Sequence, residues 1–451
     1  MVETQTKNQN IFWLWNTGVD FVRRGDVDFW SPEYVKNDKL MSQYVPLADV
    51  IEDITNGVEL RKYSDKGELY LRVSNIKEFF TDLSDIKLVP LTREAIKVRE
   101  KVRLGEQDIL MSRSGSLGII TIITSDIKNA IISSHIMRLR VKGGINPYYI
   151  ATFLNCEFGK KQILRRRNGS PIPEINHQSL EELRFFIPSK SIQQKVEQIV
   201  KEAFQLKKEA EKERREADLI LENSIKGFFT TNEQKAFWKW STDIEIIKTL
   251  EPNFWKKTIS SKKHPTIELG DIFNYQKGTE VGSALYQDSG VSFLRVSDLG
   301  NLEIQLGNSS KCINETLFDG LKNEFQPHKG ELLFSKDATI GLVAKVETEE
   351  KQIISSGILR LQIKNKDFDP DFLMALLTNK FVNQEFVKNS TGSVIKHLNT
   401  QKLSEIELPL VDKQIQREVA SKIKSSISKK QLSKQKLQEA KDFVENLVRK
   451  A

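Results

Sequence analysis

Two cysteines, Cys156 and Cys312, stand far apart in a chain of 451 residues, and five histidines (His135, His177, His264, His328, His397) form no Cys or His cluster at metal-ligand spacing. This usage suits a reducing cytosol and excludes a structural zinc. No apolar run approaches the roughly 20 residues of a membrane span, and the start MVETQTKNQN lacks the cationic and apolar regions of a signal peptide. A cytoplasmic location is expected. No phosphate-cradling Gly-rich loop of the Walker type occurs. Proline and glycine are missing from two stretches, residues 189–226 and 410–451.

Those two stretches read as long helices. In the first, Val196, Val200, Ala203, Leu206 and Ala210 step by three or four; in the second, Val419, Ile423 and Ile427, then Leu437, Ala440, Val444 and Leu447, do the same. A narrow apolar stripe on a polar helix suits helix pairing. The charged run KKEAEKERRE from Lys207 is a solvated outer face.

What is present is written twice. IISSHIMRLRVK at 131–142 recurs as IISSGILRLQIK at 353–364, with eight of twelve positions identical. Leu71-Arg72-Val73-Ser74 recurs as Leu294-Arg295-Val296-Ser297, and Ser112 and Gly118 as Ser335 and Gly341, all at a spacing of 223 (294 − 71, 335 − 112). Phe12-Trp13-Leu14-Trp15 pairs with Phe237-Trp238-Lys239-Trp240, and Phe29-Trp30 with Phe254-Trp255. These tryptophans read as packing anchors rather than base-stacking platforms. A period of half the chain is a domain duplication, because solenoid repeats run at about 20–50 residues.

Within each copy, LYLRVSNI, DILMS, LGIITIIT and HIMRLRVK, matched by VSFLRVSDL, ELLFS, IGLVAKV and ILRLQIK, have the composition of strands. Asn146-Pro147 and Asp369-Pro370 each place a cap and a proline at a helix start. The expected class is α/β (α+β), divided as a globule at 1–189, a helix at 190–235, a second globule at 236–410 and a second helix at 411–451.

With 69 Lys and Arg against 61 Asp and Glu, the net charge of +8 suits a polyanion such as double-stranded DNA. The recurring loops have the residues for it. Arg113, Ser114 and Ser116 follow one strand, and Lys336 and Thr339 follow its counterpart; hydroxyls, backbone amides and a cation can approach phosphates or base edges closely. Arg165, Arg166, Arg167, Asn168 and Ser170 form the most concentrated basic patch outside the helices, matched by Lys388, Asn389, Thr391 and Ser393 with less charge. Lys62, Arg72 and Asn75 in the first copy, and Lys277, Arg295 and Lys396 in the second, complete the candidate DNA contacts. Ser133-Ser134 and Ser355-Ser356 are explained by packing as readily as by DNA.

Signals for chemistry are thin. Asn146-Pro147-Tyr148-Tyr149 approaches the amine clamp of amino-methyltransferases but lacks its second proline and fits a helix start better; Asp337 with Glu349 and Lys351 imitates a nuclease carboxylate set. A cryptic methyltransferase or nuclease and a coiled-coil protein scaffold stay open as alternatives to a DNA reader.

The whole chain resembles the DNA-specificity subunit of type I restriction-modification systems. The resemblance lies in the duplicated order of globule and long helix, in the Gly/Gln-Asp/Glu-Ile/Leu-Leu-x-Ser-x-x-x-x-x-Gly element at residues 107–118 and 330–341, and in the closing Gly-Ser, apolar-Pro and Ile-Gln series at the mouth of each helix. The first copy departs from it with Gln107 where glycine is usual, and the Phe-Trp-x-Trp extensions lie outside the pattern. The resemblance implies a non-catalytic chain with two target-recognition domains, each reading one half of a split DNA site. It implies two antiparallel spacer helices in a pseudo-twofold body. Two adenine-N6 methyltransferase subunits and a translocating restriction subunit would bind there, and S-adenosylmethionine, ATP and magnesium would belong to those partners, with no cofactor in this chain.

Overall fold

The computed structural model describes residues 26–90, 100–168, 173–228, 265–300, 302–307, 309–391 and 396–451, with 2–3, 13–14, 92 and 97 beside them. Trp15, Trp238, Trp240, Trp255, Ser170, Ser393 and the expected boundary at 235 lie outside the described residues, as does the side chain of Trp13. Two compact units divide the chain: residues 1–205 with 432–451, and residues 206–431.

The duplication is a duplication of topology. In the first unit, strands Ile51–Asn56, Ile136–Val141, Ile109–Ser112 and Ile120–Ile122 lie side by side in that order, each antiparallel to its neighbour. In the second, Phe273–Lys277, Ile358–Ile363, Leu332–Ser335 and Val343–Lys345 repeat order and sense. A second sheet centres on Glu68–Leu71, with Lys87–Val89 antiparallel on one side and Ile131–Ile132 parallel on the other. Val291–Leu294 does the same between Lys311–Ile313 and Gln352–Ile354.

The best-preserved segment lies where chain segments cross. A Cβ on Gly57 would sit 2.2 Å from the Ser133 carbonyl oxygen, and one on Gly278 2.2 Å from that of Ser355. Ser134 and Ser356 donate to Glu59 and Glu280, at 3.0 and 3.2 Å. Close backbone approach therefore accounts for the glycine in each copy, and the bonds to Glu59 and Glu280 for the second serine of each pair. Asn146 caps Pro147–Asn155 by accepting from the amides of Tyr148 and Tyr149, and Asp369 caps Pro370–Thr378 likewise. The helical stretch after Asn146 is two helices, because Cys156 adopts an extended backbone between Pro147–Asn155 and Glu157–Arg165. The expected strand through Asn75 stops at Leu71. There the Asn75 side chain accepts from the Arg72 amide at 3.0 Å and turns the chain into a short 3-10 helix, as Asp298 does for Arg295 at 2.8 Å.

Gln107 has φ +69° where its counterpart Gly330 has +88°. A left-handed backbone costs an L-residue roughly 1–2 kcal/mol, partly offset by the extra chain entropy glycine loses on folding. Gln107→Gly is expected to raise the first unit's stability by up to about 1 kcal/mol, read as a higher thermal midpoint. An unchanged or lower midpoint would mean that the Gln107 side chain makes contacts worth the strain.

The first long helix is Lys190–Ile225, and the second is Lys413–Lys450. The first ends ahead of Gly227. In the first unit, Ser433 donates to the Ala203 carbonyl at 2.7 Å, Lys436 lies 3.6 Å from Glu202, and Lys195 sits over the Phe443 ring. As numbers fall on one helix they rise on the other, so the pair is antiparallel. In the second unit, Ser426 donates to Ala210 at 2.7 Å, and Lys429 and Lys422 pair with Glu209 and Glu216 in the same sense.

These helices also build the globular cores, which the stripe alone did not reveal. Val196, Val200, Ala203, Leu437, Ala440 and Val444 belong to one core with the Ile109, Met111 and Phe153 side chains. Ala217, Leu221, Ile225, Val419 and Ile423 belong to another with Phe334, Phe372 and Phe386. Lys441 and Lys160 both bond Glu78, at 2.6 and 2.9 Å; burial would raise that carboxyl, but the two ammonium groups hold it below its ordinary value. No helix among the described residues is long and apolar enough to cross a membrane.

Candidate nucleic-acid interface

Each four-stranded sheet gathers its loops at one end. Ser112 is paired with Ile136 and Asn56 with Met137, so residues 113–118, 133–135 and the chain after Asn56 leave the sheet together. Ser335 with Ile358, and Lys277 with Leu359, fix the same meeting in the second unit.

Buried serines shape the first loop. Ser112 donates to the Ser116 carbonyl at 2.5 Å and accepts from the Ile119 amide at 2.8 Å; Ser335 repeats both bonds with Thr339 and Leu342. This clamp leaves Ser116 and Thr339 exposed at the two loop tips.

The second loop docks on the first. Ser114 and Glu174 face each other in a β-bridge, as do Asn168 and Glu174; Asp337 and Thr391 both face His397 in the same way. Ser114 Oγ lies 2.5 Å from His135 Nδ1, and Arg113 lies 3.8 Å from Glu174. In the second unit, Lys336 is 2.6 Å from Asp337, whose other oxygen is 2.9 Å from His397 Nδ1. Each unit thus presents a compact end of hydroxyls, imidazole, cation and carboxylate. The Arg113–Glu174 pair is long and partly exposed and contributes little to stability, so it can exchange partners at little cost, whereas Lys336 and Asp337 are more enclosed.

Two copies of one sheet, each ending in the same pair of docked loops, are matched by the model of the type I restriction modification DNA specificity domain at residues 25–217 and 262–442. The chain belongs to that family. It is 22% identical over 388 residues to the type I restriction enzyme MjaVIII specificity subunit of Methanocaldococcus jannaschii, covering 82% of this chain and 83% of that one. It is 24% identical over 421 residues to the putative MjaX specificity subunit of the same organism, covering 89% and 91%. The crystal structure of a type I S subunit from M. genitalium aligns with a TM-score of 0.42 at 16% identity, covering 90% of this chain and 94% of the other.

Within this specificity-family fold, the sequence-derived candidates among the described residues separate into four groups. Arg113, Ser114, Ser116 and Asn168 meet at the loop end of the first unit, and Lys277, Lys336, Thr339, Thr391 and Lys396 at that of the second. Lys388 and Asn389 sit on the helix leading in, engaged with the Glu385 carboxylate and carbonyl. Lys62 is exposed on the chain between Asn56 and Glu68.

The other candidates are structural. Arg165 and Arg166 are 9% and 6% exposed and converge on Asp38 at 2.6 and 2.7 Å. Phe29 stacks over Arg165, 4.2 Å from its guanidinium carbon. Arg167 pairs with Asp28. The expected phosphate patch is therefore corrected to a latch that holds residues 28–38 against the helix Glu157–Arg165. Asn75 is 2% exposed, its amide divided between the Arg72 amide and the Asp82 carbonyl, which removes it as an adenine reader. Arg72 and Arg295 reach across to the Asp85 and Ser309 carbonyls, so both brace the hairpin beside them.

Four groups at the loop ends went unassigned to DNA in the sequence: His135, Glu174, Asp337 and His397. Two of them, His135 and Asp337, lie inside recurring segments at positions where the copies differ, which was the available signal.

Proposed function

We propose that this chain is the non-catalytic, sequence-reading subunit of a type I restriction-modification complex. Each unit reads one half of a split, asymmetric site in double-stranded DNA. The paired helices set the gap and carry two adenine-N6 methyltransferase subunits, joined in restriction mode by translocating nuclease subunits. S-adenosylmethionine, ATP and magnesium belong to those partners, and the assembly works in the cytoplasm.

The observation that carries this reading is one scaffold used twice with different loop side chains. Common topology supports a common mode of docking, and different donors and acceptors support different half-sites. The 36 residues of the first helix span about 54 Å at about 1.5 Å per residue, more than one duplex turn of about 34 Å. The enzyme alternative loses its residues to structure. Asn146 caps a helix and bonds Glu197, and Tyr149 is buried with its hydroxyl on the Phe186 carbonyl. Asp337, Glu349 and Lys351 are bonded to separate partners rather than to one another: Asp337 to Lys336 and His397, Glu349 to His328 and the Lys329 amide, and Lys351 to Glu315.

Co-expression with the cognate methyltransferase, followed by long-read mapping of N6-methyladenine, tests the proposal. A single two-part motif with a constant gap is expected. A continuous motif, or none, would contradict it.

A further inference from the structure

The two loop ends present the same three chemical groups, the cation from equivalent sequence positions and the carboxylate and imidazole from different ones. At the spacing of 223, Arg113 corresponds to Lys336 (336 − 113), Ser114 to Asp337 (337 − 114) and Glu174 to His397 (397 − 174). In the first unit the β-bridge joins Ser114 to Glu174, and in the second it joins Asp337 to His397. The carboxylate has therefore changed sides of the bridge, yet each time it stays beside the equivalent cation, at 3.8 Å in one unit and 2.6 Å in the other. The imidazole has moved too. His135, on the Ser114 hydroxyl, corresponds to Gly357 (357 − 135 = 222), and His397, on Asp337, takes its place in the second unit.

Packing ties a side chain to its position. Here two of the three positions changed and the set of groups persisted, which marks the set as what the loop end needs. The groups also reach the surface: the side chains of Arg113 and Glu174 are 24% and 51% exposed and those of Asp337 and His397 20% and 57%, with Lys336 the most enclosed at 12%. In the major groove, guanine offers two acceptors suited to Arg or Lys, and the cytosine amino group is a donor suited to a carboxylate. A cation and a carboxylate held side by side match the two halves of one G·C pair.

We infer that each unit reads a G·C base pair in its own half-site with this set: Arg113 and Glu174 in one, Lys336 and Asp337 in the other, with His135 and His397 positioning the loops. This rests on the DNA-reading function proposed above. On binding, each internal ion pair opens and its two members take the guanine and cytosine edges.

The test is competition binding by the complete methyltransferase complex to duplexes in which each pair of the mapped site is replaced in turn. Glu174→Gln should lower discrimination at one G·C pair of one half-site roughly ten- to a hundredfold, leaving the other half-site unaffected. Asp337→Asn should do the same in the other half, and Arg113→Ala should act at the same pair as Glu174→Gln. Thermal unfolding matching the parent shows that the variants are folded. Unchanged discrimination at every pair, a uniform loss over all sequences as from phosphate contacts, or a half-site without G·C would overturn the inference. A parent complex with no sequence preference would instead overturn the function on which it rests.

Discussion

Asp38→Ala is expected to destabilise the first unit by about 3–5 kcal/mol, the range for removing one partner of a buried ion pair. Asp38 neutralises Arg165 and Arg166 together, and both guanidinium groups stay buried when it is gone. Arg165 keeps only the Phe29 carbonyl at 3.0 Å and the Phe29 ring, neither of which carries a full negative charge, whereas Arg166 keeps the Gln162 carbonyl at 3.1 Å and the Glu182 carboxylate at 3.3 Å, so the loss falls mainly on Arg165. Burial already depresses the Arg165 pKa against the pull of Asp38. Asp38→Asn, which retains an acceptor, should cost less. Urea unfolding measures both variants; an Asp38→Ala midpoint equal to the parent's would contradict the latch. The same geometry predicts that replacing Arg165 and Arg166 acts on folding, not on the salt dependence of DNA binding.

Removing residues 411–451 should abolish cooperative folding of both units. From the stripe alone, the second helix reads as a partner of the first. In addition, Leu437, Ala440, Val444 and Val448 are buried in the first unit's core and Val419, Ala420 and Ile423 in the second's. Each large aliphatic removed from a core costs about 2–5 kcal/mol on truncation to alanine, against a typical domain stability of about 5–15 kcal/mol. Losing several at once exceeds that margin. Loss of the thermal transition and rapid proteolysis are expected. A truncated chain that melts like the parent would show that the globules stand alone.

The sequence made legible whatever depends on short-range pattern or on comparing the copies. Asn146-Pro147 and Asp369-Pro370 cap helices as their local chemistry requires, and strands Ile109–Ser112 and Leu332–Ser335 fall where the repeated apolar runs lie. Pairings set by the fold were hidden. Arg165 meets Asp38 across 127 residues, and no property of the three-arginine run distinguishes a buried latch from a phosphate patch. Glu174 faces Ser114 only because two loops dock, so neither stood out by itself. Asn75 looked like a free amide because its bond to the Arg72 amide replaces the strand expected there. An apolar stripe reports that a helix face is covered, but not by what.

In the proposed function, two independent readers share one chain. Exchanging residues 45–188 for the corresponding segment of another specificity subunit tests it most directly, with methylated adenines mapped for parent and chimaera. That segment contains the four-stranded and three-stranded sheets and both docked loops of the first unit and leaves the two long helices untouched. The predicted result is a new sequence in one half of the site, with the other half and the gap between them unchanged. Changes in both halves, or in the gap, would contradict the account and show that the two units read DNA jointly.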